Sequence, residues 1–285
     1  MDTKMFQGIM IFILGLLFGS FANVCIWRIP RKEEIVFTPS HCPRCLGGIR
    51  WYDNIPVLSY LFLGRKCRSC KAQISWRYPL VEILSALLFL GIYLKFGADW
   101  RLAGYIPFVW AMLVISAIDI EHYIIPDVFS LSGLAMGLLL AALATFGVPV
   151  DLTVFGRGDV LSQWPLVDSA IGVVLGGGFL WLAAWLGEKV FKQEAMGGGD
   201  IKLAAMIGAF FGWKAVLVSF FLAFLAGSVV GLLLILLGRA KKSEAPEGIK
   251  PKAMVPFGPF LALGGILSLF WGRELLGVYL SFFGM

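Results

Sequence analysis

Residues 5–27 run without a single charged side chain. About 20 apolar residues in a helix cross a hydrocarbon core of ~30 Å. Seven further apolar runs follow, at 80–94, 102–118, 128–146, 166–186, 201–211, 215–237 and 255–271, and most approach that length. Only 15% of the chain is charged while 59% is hydrophobic, too little polar surface to cover a water-soluble protein of this size. Lipid must do part of the covering. Backbone polar groups in lipid have to be paired within the chain, so the expected fold is an all-α polytopic membrane protein of about eight transmembrane helices. The first run is longer than the apolar core of a secretory signal, and its basic residues follow it instead of preceding it. It reads as a retained span.

One run is short for a crossing. Residues 201–211 and 215–237 are expected to form a hairpin turning at Gly212-Trp213-Lys214, its first helix starting partly inside the membrane. The connector 148–165 reads as polar and exposed, with no chemistry in it.

Charge gives the orientation. Residues 28–77 hold ten Lys or Arg, the loop after Leu186 adds Lys189, Lys192 and Lys202, and residues 239–252 add five, eighteen of the chain's 24. With eight spans and the first residue outside, all eighteen fall on one side, which the positive-inside rule makes cytoplasmic. The net charge of +6 therefore reports topology. No interleaved basic and aromatic surface points to nucleic acid.

The first basic loop carries two C-x-x-C pairs, Cys42/Cys45 and Cys67/Cys70, with 21 residues between them. Two such knuckles offer four thiolates to one tetrahedral ion, the preference of structural Zn²⁺. Arg44, Lys66, Arg68 and Lys71 favour the thiolate form, and a cytoplasmic loop argues against disulfides. Four cysteines leave no open coordination position, so the metal holds shape and the reaction lies elsewhere. Cys25 sits in the first span as a small core residue, and His41 stays outside the ligand shell.

Three aspartates mark the ends of spans. Asp119 closes the third, Asp127 follows Pro126 at the start of the fourth, and Asp200 follows Gly197-Gly198-Gly199. The orientation above brings all three to one face of the membrane. Each has an ordinary reading: a first-turn acid favoured by the helix dipole for Asp127, a helix N-cap for Asp200, an ion-pair partner for Asp119. Ionisable groups at membrane depth are nevertheless costly and tend to be functional. The two histidines do not form H-E-x-x-H, and G-x-S-x-G is absent. Two carboxylates held close in low dielectric share one proton, so one serves as base on a water while the other polarises a carbonyl. Gly197 and Gly199 leave room for a peptide backbone to approach.

The residues also carry a family likeness. "GGGD" at 197–200, "FGSFANVCIWRIP" at 18–30, the two cysteine knuckles, "WYDNIPVLSYL" at 51–61, "ISWRYPLVE" at 74–82 and "IDIEHYIIPD" at 118–127 occur in one order over nearly the whole chain. Together they resemble the bacterial type IV prepilin peptidases, intramembrane aspartyl proteases with a G-x-G-D signature. The resemblance implies cleavage of the basic leader from type IV prepilins, or from type II secretion pseudopilins, at the cytoplasmic face of the inner membrane. It further implies methylation of the new N-terminal residue from S-adenosyl-L-methionine. By motif match Asp119 and Asp200 are the protease dyad, with Asp127 the rival or supporting carboxylate.

The implied organisation is a first span (1–27), a zinc-binding loop domain linked to methyl transfer (28–78) and a transmembrane peptidase domain (79–285). Glu82 is either a functional carboxylate or a partner of Arg77. Glu121, Glu188 and Glu194 are candidates to receive the basic leader. No G-x-G-x-x-G cradle marks a methyl-donor site. Two other readings compete. A cation-coupled transporter would explain the aspartates but not the cysteines, and a non-catalytic assembly protein with a zinc docking loop would explain the cysteines but not the aspartates.

Overall fold

Small residues decide which helices of this chain can touch. The computed structural model describes residues 2–150, 152–155, 163–192, 196–237 and 256–282. Glu194 and the basic loop 239–252 lie outside them. Among the described residues eight α-helices run in the order α1 (Thr3–Arg28), α2 (Leu58–Phe62), α3 (Arg77–Phe96), α4 (Leu102–His122), α5 (Asp127–Thr145), α6 (Pro165–Phe191), α7 (Gly198–Leu236) and α8 (Gly258–Phe282). Seven of them, all but α2, are long and apolar enough to cross a bilayer. The chain is an all-α, multi-pass membrane protein. It divides into two units, Met1–Ile118 and Asp119–Met285.

In the first unit α1 packs on α3 through glycines. A Cβ on Gly15 would stand 2.5 Å from the Ala86 Cα, and one on Gly19 equally close to the Glu82 Cα. With no hydrophobic drive between helices in lipid, such backbone contact supplies the packing. Cys25 is buried in the same helix, as a small core residue should be. Trp110 of α4 stacks on Phe21 with centroids 5.7 Å apart and donates to the Phe18 carbonyl at 2.9 Å. Between α1 and α3 the chain leaves the helices under the control of one buried cation. Arg28 donates to the carbonyls of Glu34, Thr38 and Pro39 at 2.8 to 2.9 Å, which turns the strand of backbone into the first cysteine knuckle.

The second unit is built around α7. Ser169 of α6 donates to the Ala209 carbonyl at 2.9 Å. Cβ atoms on Gly172 and Gly176 would lie 2.5 Å from the carbonyl oxygens of Gly208 and Ala204. These pairings run α6 antiparallel to residues 198–211. Phe220 then meets Phe179 with centroids 5.5 Å apart. A straight α7 would carry Phe220 about 12 Å beyond residue 212, away from Phe179, so the helix must double back. It does so at Gly212, where φ is 78° and ψ is −177°, a backbone shape open to glycine. The expected hairpin is therefore present, and α7 consists of two limbs.

The first limb of 14 residues is about 21 Å long, short of the ~30 Å core, and the second limb, 213–236, is about 36 Å. The two meet at the tip, so the first limb starts inside the membrane. Gly264 and Ser268 of α8 pack against Ser219 and Ala215 of the second limb, with Phe224 against Phe257 at 5.4 Å. The start of α8 thus shares the depth of the start of α7.

Candidate active site and metal centre

The start of the first limb carries Asp200, a half-buried residue. Gly197 takes the N-cap position and Asp200 stands three residues on, within the first turn, so Asp200 is not the helix N-cap. Asp200 Oδ1 is buried without a hydrogen-bond partner. Asp119, from the last turn of α4, is 5% exposed and lies close enough for its charge to act on Asp200. Its carboxylate accepts a hydrogen bond from the backbone N–H of Gly258. A Cβ on Gly258 would stand 2.5 Å from Asp119 Oδ2 and 2.9 Å from Ile125 Cδ1. Ile125 also fills the place a Gly199 side chain would need, 2.7 Å from its Cβ. Three backbone segments, 119–125, 197–200 and 257–258, therefore close on one point, and two glycines allow it.

Of the three glycines before Asp200, Gly199 is required by the Ile125 contact, while Gly197 and Gly198 face more open space. Asp127 is placed differently from Asp119. Its side chain is 58% exposed and pairs with Lys202 Nζ at 2.6 Å, behind a buried Pro126. Glu121 and Glu188 are exposed. The sequence reading missed Gly258, Ile125 and Lys202. The P-x-G-P pattern at 256–259, a glycine bracketed by prolines beside an apolar run, was the available signal for Gly258.

In the first unit the four cysteine sulfurs, Cys42, Cys45, Cys67 and Cys70, all lie within 4.8 Å of one another. A tetrahedron with metal–sulfur bonds of ~2.3 Å has edges of about 3.8 Å, and Cys42 and Cys70 are 3.9 Å apart. The cluster can hold a metal ion. Its two knuckles repeat the same backbone. Cys42 and Cys67 N–H donate to the carbonyls of Gly47 and Ala72, and Leu46 and Lys71 N–H return to Cys42 and Cys67. Leu46 and Lys71 share φ values of 56° and 59°, and each knuckle closes with an antiparallel bridge, His41 to Gly48 and Lys66 to Gln73. Backbone N–H groups of Cys70 and Ser69 directed at Cys67 hold its thiol down to about 7, ready to bind as thiolate. Arg68 forks onto Asp53 at 2.6 and 2.8 Å. That contact ties the second knuckle to residues 51–54 and holds the Asp53 carboxyl below its usual range.

Comparison with known proteins agrees with this architecture. Residues 13–96 match the Bacterial Peptidase A24 N-terminal domain and residues 106–232 the Type IV leader peptidase family. The chain is similar to proteins named prepilin leader peptidase/N-methyltransferase. It is 36% identical to the one from Pseudomonas aeruginosa, over 95% of this chain and 93% of that protein. It is 34% identical to the one from Stutzerimonas stutzeri, over 95% and 92%, and 32% to the one from Myxococcus xanthus, over 96% and 91%. No solved structure matches the chain.

Proposed function

The chain belongs to the type IV leader peptidase family, and we propose that Asp119 and Asp200 are the two carboxylates with which it cuts a prepilin leader. The protein is a prepilin-cleaving membrane protease that also N-methylates the residue it exposes. The observation that carries the assignment of the dyad is the burial of Asp119 within electrostatic reach of Asp200, while Asp127 is exposed and neutralised by Lys202. Asp127 is read as a supporting group that anchors the first limb to the start of α5.

Each member of the pair then has a role. The unprotonated carboxylate takes a proton from water, and the water oxygen attacks the scissile carbonyl carbon. The protonated carboxyl gives its proton to the carbonyl oxygen. When the tetrahedral intermediate collapses, the C–N bond breaks and the leaving amine takes a proton from the dyad. The Gly258 N–H fixes one carboxylate in place, which supports its role as the oriented member. Ile125, wedged against Gly199 and Gly258, excludes water from one side.

The four-cysteine cluster suits Zn²⁺ in a structural role, holding the loop between α1 and α3, and that loop is assigned to methyl transfer from S-adenosyl-L-methionine. When bound, the methyl donor supplies an activated methyl group on sulfonium. Pseudopilins are read as alternative substrates of the same chemistry. The excess of basic residues at 28–77 supports reading the loop and the dyad as cytoplasmic at the inner membrane. Exposed Glu121 and Glu188 are read as the acceptors of a basic leader.

The test is cleavage of a purified prepilin by Asp119→Asn, Asp200→Asn and Asp127→Asn in nanodiscs. Loss in the first two with retention in the third is expected. Wild-type rates from either of the first two would overturn the assignment.

A further inference from the structure

Three stretches that leader cleavage leaves unused, residues 18–30, 51–61 and 74–82, converge on one buried carboxylate of the first unit. Glu82 is 8% exposed. Its Oε2 accepts the Val57 N–H at 2.7 Å, the Ser20 hydroxyl donates to it, and its backbone lies against Gly19. One turn along α1, Asn23 spends its amide hydrogens on the carbonyls of Gly19 and Tyr78, at 3.3 and 3.0 Å. That leaves Asn23 Oδ1, in a residue 3% exposed, buried with no hydrogen-bond partner. Ser85 Oγ, one turn along α3, is buried and unpartnered as well.

The backbone above this seam is strained. Val57 has φ 62° and ψ −48°, and the Leu58 N–H closes on the Pro56 carbonyl at 2.6 Å. This is a γ-turn centred on a β-branched residue, a conformation such side chains avoid. Strain of this kind persists where surrounding structure imposes it, and it gathers at ligand clamps. Here Glu82 holds the N–H of the strained residue. A carboxylate and an amide oxygen gathered in one dry seam are complementary to an ammonium group.

We propose that this seam is the amine pocket of the methyl-transfer reaction, in which Asn23 and Glu82 hold the α-amino group exposed by leader removal and Glu82 accepts its proton. The inference rests on the reading that the chain methylates its own cleavage product. The amine nitrogen attacks the methyl carbon of the sulfonium donor. An N–C bond forms, the S–C bond breaks, and sulfur keeps the electron pair as a neutral thioether. The proton released from nitrogen ends on Glu82 and passes to solvent. Val57 covers the carboxylate between turnovers.

The decisive variant is Glu82→Gln in the full-length, metal-loaded protein. Glutamine still accepts the Val57 N–H, so leader cleavage and metal content should stay within twofold of wild type. The methylated fraction of product, read from its N-terminal mass, should fall at least tenfold at pH 7. It should recover as pH passes about 8, where an α-amino group loses its proton unaided, while the wild-type profile stays flat. Without any methyl donor, a peptide matching the mature pilin N-terminus should bind the variant at least fivefold more weakly than wild type. Its N-acetylated form should bind both alike.

Methylation by Glu82→Gln at the wild-type rate, or loss unresponsive to pH, would overturn the pocket. So would joint loss of methylation, cleavage and metal, which would make Glu82 a structural latch. Wild-type protein that cleaves but never methylates would instead overturn the underlying reading, and the pocket with it.

Discussion

Gly258 offers the sharpest test of the dyad, because it touches Asp119 without belonging to it. In Gly258→Ala the new Cβ would arrive 2.5 Å from Asp119 Oδ2 and 2.9 Å from Ile125 Cδ1. Ordinary contact begins at 3.4 Å, so the carboxylate must retreat by about 1 Å, a misplacement of the size that costs a catalytic group roughly 10²-fold. That corresponds to about 2.7 kcal/mol of transition-state stabilisation. Ile125 also lies beside Gly199, which limits how far it can give way. The Gly258 backbone adopts no left-handed conformation, so alanine adds no backbone strain and the chain should fold.

The assay is steady-state cleavage of a purified prepilin in nanodiscs, with kcat and KM measured separately. The expected result is a fall in kcat of about 100-fold with KM nearly unchanged, because substrate is bound elsewhere than at this carbonyl-facing group. Methyl transfer to a pre-cleaved pilin and metal content should not change. A Gly258→Ala variant cleaving within threefold of wild type would mean that the position of Asp119 is irrelevant, and the dyad would fail with it.

Asp119→Asn and Asp200→Asn should each lower cleavage by ~10²–10⁴-fold, the worth of a positioned acid or base, whereas Asp127→Asn should lose less than tenfold, all read from the rate of product formation. Elemental analysis should find about one zinc ion per chain in the wild-type protein and none in the Cys42→Ser, Cys67→Ser double variant, since two ligands cannot hold a structural site. Acid should strip the same ion, because protons compete with the metal for the four thiolates, so retained metal should fall as the pH is lowered. Gly212→Ala places a side chain where φ is 78° and where the new Cβ would collide with Asp168 Oδ2. It should lower the melting temperature and cut cleavage together, because the tip of the hairpin sets the depth of Asp200.

Much of this was legible in the residues. The apolar runs gave the spans. The two C-x-x-C pairs announced the sulfur cluster, because a tetrahedral ligand set depends on spacing within each knuckle more than on the rest of the fold. The hairpin was legible too. A run of 11 apolar residues before Gly212 is too short to cross, and only a doubling back keeps both limbs in lipid. The residues alone do not separate Asp119 from Asp127. Both sit beside span ends in one motif, and what separates them is tertiary: a glycine N–H from the start of α8 for one, a lysine from α7 for the other. Nor could spacing reveal that Ile125 would occupy the gap left by Gly199 and Gly258. Glycine reports that something comes close, and the sequence does not say what.

The short first limb explains why these pieces belong together. Measured back from Gly212, Asp200 lies 12 residues, about 18 Å, along the limb, roughly two-thirds of the way across a ~30 Å core. A carboxylate at that depth is expensive unless its site is closed by protein. The closure is supplied by the close approach at Gly199 and Gly258 and by the buried partner Asp119. On the proposed function, the apolar helix of a prepilin can remain in lipid while its scissile bond reaches the two aspartates below the surface. Had the first limb been a full span, Asp200 would emerge into water at the interface, and the substrate would have to leave the bilayer to meet it. Extending the limb by one turn, with four residues inserted between Leu203 and Gly212, should therefore abolish cleavage of membrane-embedded prepilin. It should leave the sulfur cluster and its metal content untouched. Undiminished cleavage by the lengthened protein would show that the depth of Asp200 is not what the hairpin is for.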